Sequence, residues 1–170
     1  MESKAIGGFS GIGSKVKTIA AEASRFLIFS LHGEQYAVPL LKVKEVIALT
    51  ETTPVPYSPQ YFKGIMNLRG QVISVIDLRM KMKMPKAEAS PETAIIILDL
   101  SPLSLGVIVD SVESVLAVEK QEIQPPPDVG GKDAMYISGV TRKDSKLILL
   151  LDIEKTLSVE DLRTMKAQAA

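Results

Sequence analysis

The strongest constraint on this 170-residue chain is that it contains the same unit twice. A shift of 69 residues lays Phe26–Leu31 (FLIFSL) on Ile95–Leu100 (IIILDL). The same shift lays Val38 on Val107, Val43–Ile47 on Val112–Leu116, and Pro56 on Pro125. Past a six-residue insertion in the second copy, around PPPDVGGKDA, Gly64-Ile65 falls on Gly139-Val140. In that frame Gln71–Leu78 (QVISVIDL) falls on Lys146–Ile153 (KLILLLDI). Two frames in one order, separated by one loop insertion, describe an internal repeat.

Each copy reads as a sequence of short strands: an apolar strand, a hairpin through Gly33-Glu34 or Pro102-Leu103, a third strand, a Pro-containing loop, a Gly, a hairpin turn and a last buried strand. Short strands with regularly spaced turn residues, and no long helical period, predict a mainly β fold with a small antiparallel barrel per copy. Either barrel alone would have a marginal core, so the two are expected to share an apolar seam. The repeat halves span about 26–79 and 94–153 within a domain of 24–158. The stretch at 81–92 (KMKMPKAEASPE) reads as a linker whose alternating opening suits an edge strand with solvated lysines. Residues 1–23 read as a flexible Gly- and Ser-rich arm. Their GFSGIGSK run has Ser and Lys in the wrong order for a phosphate loop, and no strand precedes it. Ser158 followed by Val159-Glu160-Asp161 reads as an N-cap with first-turn acids, predicting a short helix and tail over 159–170.

Composition removes whole classes of chemistry. The absence of cysteine excludes disulfides, thiolate metal sites and Cys nucleophiles, and His32 is the only histidine, so no multi-His metal site is available. Twenty basic and twenty acidic residues cancel, leaving no global field to recruit nucleic acid. Exposed aromatics interleaved with cations, which a nucleic-acid face requires, are not in evidence with four Phe, four Tyr and no Trp. No apolar run approaches a membrane span, so a cytoplasmic location without membrane insertion is expected.

The most informative stretch is Gly64–Arg79, GIMNLRGQVISVIDLR. Gln71–Ile76 is a β-branched, apolar strand; Asn67-Leu68-Arg69-Gly70 ahead of it has turn chemistry, and Asp77 after it sits as an N-cap would. Repetition separates scaffold from function here. Asp77 matches Asp152, and Gly64 matches Gly139, so these are first of all structural. Arg69 faces Asp144, Glu45 faces Ser114 and Arg79 faces Glu154, so these charges belong to one copy only. A guanidinium offers five donors in a rigid fork, suited to clamping a carboxylate or carbonyl on a protein partner. The alternative for Arg69 is an intramolecular pair with Glu45 or another acid, worth little if exposed.

NLRG, an apolar strand and then DLR, together with FLIFSL, LKVKEVI, LGVIVD and LLDIEK in order, resemble the CheW family of bacterial chemotaxis coupling proteins from about Arg25 to Leu157. The resemblance implies two five-stranded, SH3-like barrels packed on a shared core, no enzymatic activity and no cofactor. It implies two partners: the cytoplasmic hairpin tip of methyl-accepting chemoreceptors, and the regulatory domain of the histidine kinase CheA. Recruitment from the cytoplasm to membrane-bound receptor arrays would follow. Carried over by motif, the receptor-binding positions are Val43 and Glu45 in LKVKEV, Gly64 in KGIMNLRG, and Arg69, with Val112 and Val115 as the opposite groove wall. No motif identifies the kinase-binding residues. Ser74 departs from the pattern, standing where the family often has proline.

Two other readings compete. The chain could serve as the scaffold of another chemosensory pathway, such as twitching motility or development. A small barrel enzyme would have to use carboxylates such as Asp77, Asp99 and Asp110, whose separation the sequence does not fix.

Overall fold

The computed structural model describes residues 23–128, 136–157, 161 and 163. The expected N-terminal arm therefore lies outside the described residues except for Ala23, and the C-terminal helix does so except for Asp161 and Arg163. The strands are β1 (Ala23–Leu31), β2 (Glu34–Pro39), β3 (Val43–Ala48), β4 (Phe62–Leu68), β5 (Gln71–Asp77), β6 (Ala94–Asp99), β7 (Ser104–Val109), β8 (Ser111–Glu119), β9 (Ile137–Lys143) and β10 (Lys146–Leu151). One-turn helices α1 (Leu78–Lys81) and α2 (Ile153–Thr156) follow β5 and β10. Asp77 Oδ1 accepts from Met80 N at 3.3 Å, and Asp152 Oδ1 from Lys155 N at 3.2 Å. Both aspartates are thus helix caps, as the repeat implies.

The strands form two five-stranded sheets, ordered β8-β1-β2-β10-β9 and β3-β6-β7-β5-β4. Both sequence shifts survive as strand register. Leu27 faces Val38 while Ile96 faces Val107. Asn67 faces Val72 while Arg142 faces Leu147. Even the bulge recurs, interrupting β1–β8 at Ile28/Phe29 and β3–β6 at Val43/Glu45.

One barrel per copy is not what forms. Each sheet takes its first hairpin from one copy and its last three strands from the other. The chain leaves the first sheet where β2 ends at Pro39, passes through a 3-10 turn at Leu40–Lys42, and enters the second sheet as β3. The pattern of apolar residues cannot reveal this, because FLIFSL and IIILDL offer β3 nearly equivalent edges. Nor is the pairing wholly antiparallel: β10 runs parallel to β2, and β5 parallel to β7. Strand pairing also stops short of a closed barrel. Single bridges, Thr53–Ile65 and Gln124–Val140, instead lace the segment after β3 to β4 and the segment after β8 to β9.

The exchange explains why β1 from Phe26 to Phe29 and β6 from Ala94 to Leu98 are apolar without interruption. Phe26 and Ile28 join Ala37, Val118, Ile148 and Leu150 in a core within the first sheet. Their neighbours Leu27, Phe29 and Leu31 join Ile96, Leu98, Val107 and Leu151 in a larger core drawn from both sheets. On β6, Ile95 and Ile97 likewise face a core of the second sheet with Met66, Ile73 and Val75. A strand buried on both faces loses the polar alternation of a half-exposed one.

The linker opening differs from the expected edge strand. Asp77 starts a helical turn, so Met82 and Met84 fold back onto the shared core while Lys83 remains exposed. Lys81 is half-buried: its Nζ lies 2.8 Å from Asp161 Oδ2 and 4.3 Å from the centre of the Tyr61 ring. Arg79 is likewise structural. Its guanidinium grips both carboxylate oxygens of Asp110, the single residue between β7 and β8, with Nε 2.6 Å from Oδ1. Its Nη1 donates to Pro85 O at 3.0 Å, tying the linker to the strand crossover. Appearing in one copy only therefore does not make Arg79 a contact residue.

Burial alone would push the Asp110 carboxyl up, but hydrogen bonds from Arg79 and the His32 backbone N–H outweigh it and hold it below the usual carboxylate range. A depressed folded value stabilises the fold above the unfolded value and is lost as pH falls through the folded one. Asp110→Asn is expected to lose about 1–3 kcal/mol at neutral pH in urea unfolding, with the gap to wild type narrowing below about pH 4. A gap independent of pH would remove the charge from this explanation.

Gly64 gives a second test. Its φ is +130°, and a Cβ there would lie 2.1 Å from Thr53 O, the acceptor of the lacing bridge. Gly33 also has positive φ (+81°) but opens onto empty space. Gly64→Ala should therefore cost about 3 kcal/mol, against about 1 for Gly33→Ala, by urea titration.

Candidate functional site

The hairpin joining β4 and β5 closes with Leu68 opposite Gln71, leaving Arg69 and Gly70 as a two-residue turn. Both have positive φ, +52° and +85°, the geometry in which right-twisted strands reverse most readily. Asn67 Oδ1 accepts from Gly70 N at 2.9 Å and fixes the turn. Gly and Asn suit such φ values, whereas a long side chain carries a backbone cost. The equivalent hairpin between β9 and β10 adopts the same conformation with Asp144 and Ser145, at φ +51° and +65°. Arginine is therefore not demanded by the turn.

From that tip Arg69 projects into solvent, 79% exposed, and its Nη2 donates to Glu45 Oε2 at 3.0 Å. Glu45 is the more sheltered partner at 25%. The intramolecular pair is thus real, and at this exposure it contributes about 0–1 kcal/mol to stability. Most of the guanidinium's donors still face outward.

The six positions singled out in the sequence fall on two sheets. Glu45 and Arg69 meet, with Val43 on the same strand as Glu45 and half-buried against the shared core. Gly64 is buried beneath the lacing bridge and offers backbone only. Val112 and Val115 lie on β8, the edge strand of the other sheet. Val112 repeats the half-buried packing of Val43, while Val115 is 49% exposed. A separate crevice opens at the seam between the sheets, walled by Val38, Leu98, Leu100 and Leu151 with the Lys42–Glu154 pair at its rim. None of the six positions lines it.

The carboxylates raised as catalytic candidates all hold structure. Asp77 caps α1 and Asp110 is clamped by Arg79. Asp99 accepts from the backbone N and the hydroxyl of Ser101, at 3.0 and 2.8 Å, and these bonds hold its carboxyl below the usual range. Among the described residues no cluster of three or more His, Asp or Glu is placed to hold a metal, and no helix is long and apolar enough to cross a membrane.

Comparison with known proteins agrees with this geometry. The model of the CheW-like domain matches residues 25–161. The chemotaxis protein CheW of Klebsiella aerogenes is 33% identical over 150 residues, covering 86% of this chain and 90% of that protein. Its counterpart in Bacillus subtilis is 32% identical over 137 residues, covering 80% and 88%. The crystal structure of the scaffolding protein TtCheW from Thermoanaerobacter tengcongensis superposes with a TM-score of 0.76 at 32% identity, covering 82% of this chain and 95% of that one. With two interleaved five-stranded sheets, caps at both copies and the NLRG turn in place, the chain belongs to the CheW-like family.

Proposed function

We propose that this protein is a non-enzymatic adaptor that couples the cytoplasmic tips of chemoreceptors to the histidine kinase CheA, working in the cytoplasm at membrane-bound receptor arrays. The observation that carries the reading is Arg69. It occupies a turn position that favours Gly or Asn, and its exposed guanidinium is held in direction by Glu45. Residues kept in an unfavoured backbone conformation often do work that the fold itself does not require. A receptor tip is a helical hairpin, and a helix binds by laying an apolar stripe into a groove while peripheral charges fix its register. Val43 and Val112 at the seam supply apolar contact in this reading, and Arg69 with Glu45 sets the register.

The two halves are alike in backbone and opposite in charge at several places. Lys44 corresponds to Glu113, Arg69 to Asp144 and Arg79 to Glu154. An adaptor with similar but electrically distinct ends can present different surfaces to different neighbours.

Arg69→Ala is expected to weaken binding of a purified receptor cytoplasmic fragment by about 1–3 kcal/mol, read by titration calorimetry. Unchanged affinity would remove Arg69 from the receptor contact. Arg69→Asn separates binding from folding. It should lose the same affinity yet be more stable than the Ala variant by about 0.5–1 kcal/mol, because Asn tolerates the turn's positive φ.

A further inference from the structure

Asn67 stands near the end of β4, opposite Val72 and just ahead of the Arg69 turn. Asparagine is a poor strand former, and this one is exposed, so neither the sheet nor the core calls for it. Its Oδ1 accepts from Gly70 N at 2.9 Å, and Gly70 lies beyond the last pair of the ladder, Leu68–Gln71. The bond therefore acts on the turn alone. It closes a ring across Arg69, a residue whose φ of +52° is unfavourable for a long side chain.

The other copy shows that the turn itself does not need this brace. In the same register Arg142 takes the place of Asn67, opposite Leu147. A guanidinium has no acceptor, so its side chain cannot bond a backbone N–H, yet Asp144 and Ser145 reach the same positive φ. Aspartate tolerates that conformation better than arginine does. The brace thus occurs in the copy whose turn carries the guanidinium. There it favours the backbone state from which Arg69 Nη2 reaches Glu45 Oε2 at 3.0 Å. The ion pair cannot hold that state alone, because Arg69 is 79% exposed and such pairs are weak.

Resting on the adaptor reading, we propose that Asn67 is a positioning residue for receptor binding: it touches no partner and acts by keeping the turn in the state that presents Arg69. Without the brace Arg69 binds only from the fraction of molecules whose turn is in that state, and affinity falls by the lost fraction. The test is titration calorimetry of the full chain with a purified receptor cytoplasmic fragment, with exchange of the Gly70 amide proton followed by NMR. Asn67→Ala should speed that exchange and weaken binding about three- to fivefold, the population change that one hydrogen bond supports. Asn67→Asp keeps the acceptor and discards the amide donor, so it should keep Gly70 protected and bind within about twofold of wild type. In an Arg69→Ala chain, adding Asn67→Ala should change affinity by less than about 1.5-fold, because no guanidinium is left to position. Wild-type affinity in a folded Asn67→Ala chain overturns the proposal. So does an equal loss in Asn67→Asp, which makes Asn67 itself a contact, and so does an additive loss in the double variant. In each of these cases a receptor affinity that Arg69→Ala weakens leaves the adaptor reading standing. If folded wild type does not bind the receptor fragment, the adaptor reading fails and takes the positioning role with it.

Discussion

Everything in this molecule depends on burying both faces of β1 and β6. Neither repeat can do so alone, because a five-stranded sheet covers one face of a strand and leaves the other to water. Lodging Phe26 and Ile28 inside one sheet, and Leu27, Phe29 and Leu31 in the seam, uses every side of β1. The exchange of hairpins between copies commits both halves to that seam, since neither sheet is complete without strands from the other copy. The fold is therefore a single cooperative unit despite its repeat, and the two halves cannot open like independent domains without breaking sheets.

Much of this was legible in the sequence, and the reasons differ by element. The equivalence of the halves was legible because one shift lays Phe26–Leu31 on Ile95–Leu100 and Val38 on Val107, and the structure repeats the Leu27–Val38 pair as Ile96–Val107, although the pairing itself carries no sequence signature. Asp77 and Asp152 were legible as caps because both copies keep them. Connectivity was not. When two edges are near-copies, local pattern cannot say which one a strand will join, and the separation is made by Pro39 and the turn after it. Arg79 was misleading for a related reason. The crossover at Asp110 needs a cation, while in the other half Glu154 pairs with Lys42, so a purely structural pair differs between copies.

The candidate site was partly legible. Arg69 stood out because no feature of its turn requires a guanidinium, and the structure adds that its backbone is held at positive φ. The pairing with Glu45, 24 residues away in sequence, depends on the closure of β3 toward the β4–β5 tip and has no local signature.

The proposed coupling involves three components, so the most direct measurement is a reconstitution. Full-length CheA, a receptor fragment presenting its cytoplasmic tip, and this protein would be combined in all pairings and as the complete set, with kinase autophosphorylation as the readout. The account requires strong stimulation only when all three are present. Equal kinase activity with and without the folded protein, in mixtures whose receptor and kinase are separately competent, would contradict it.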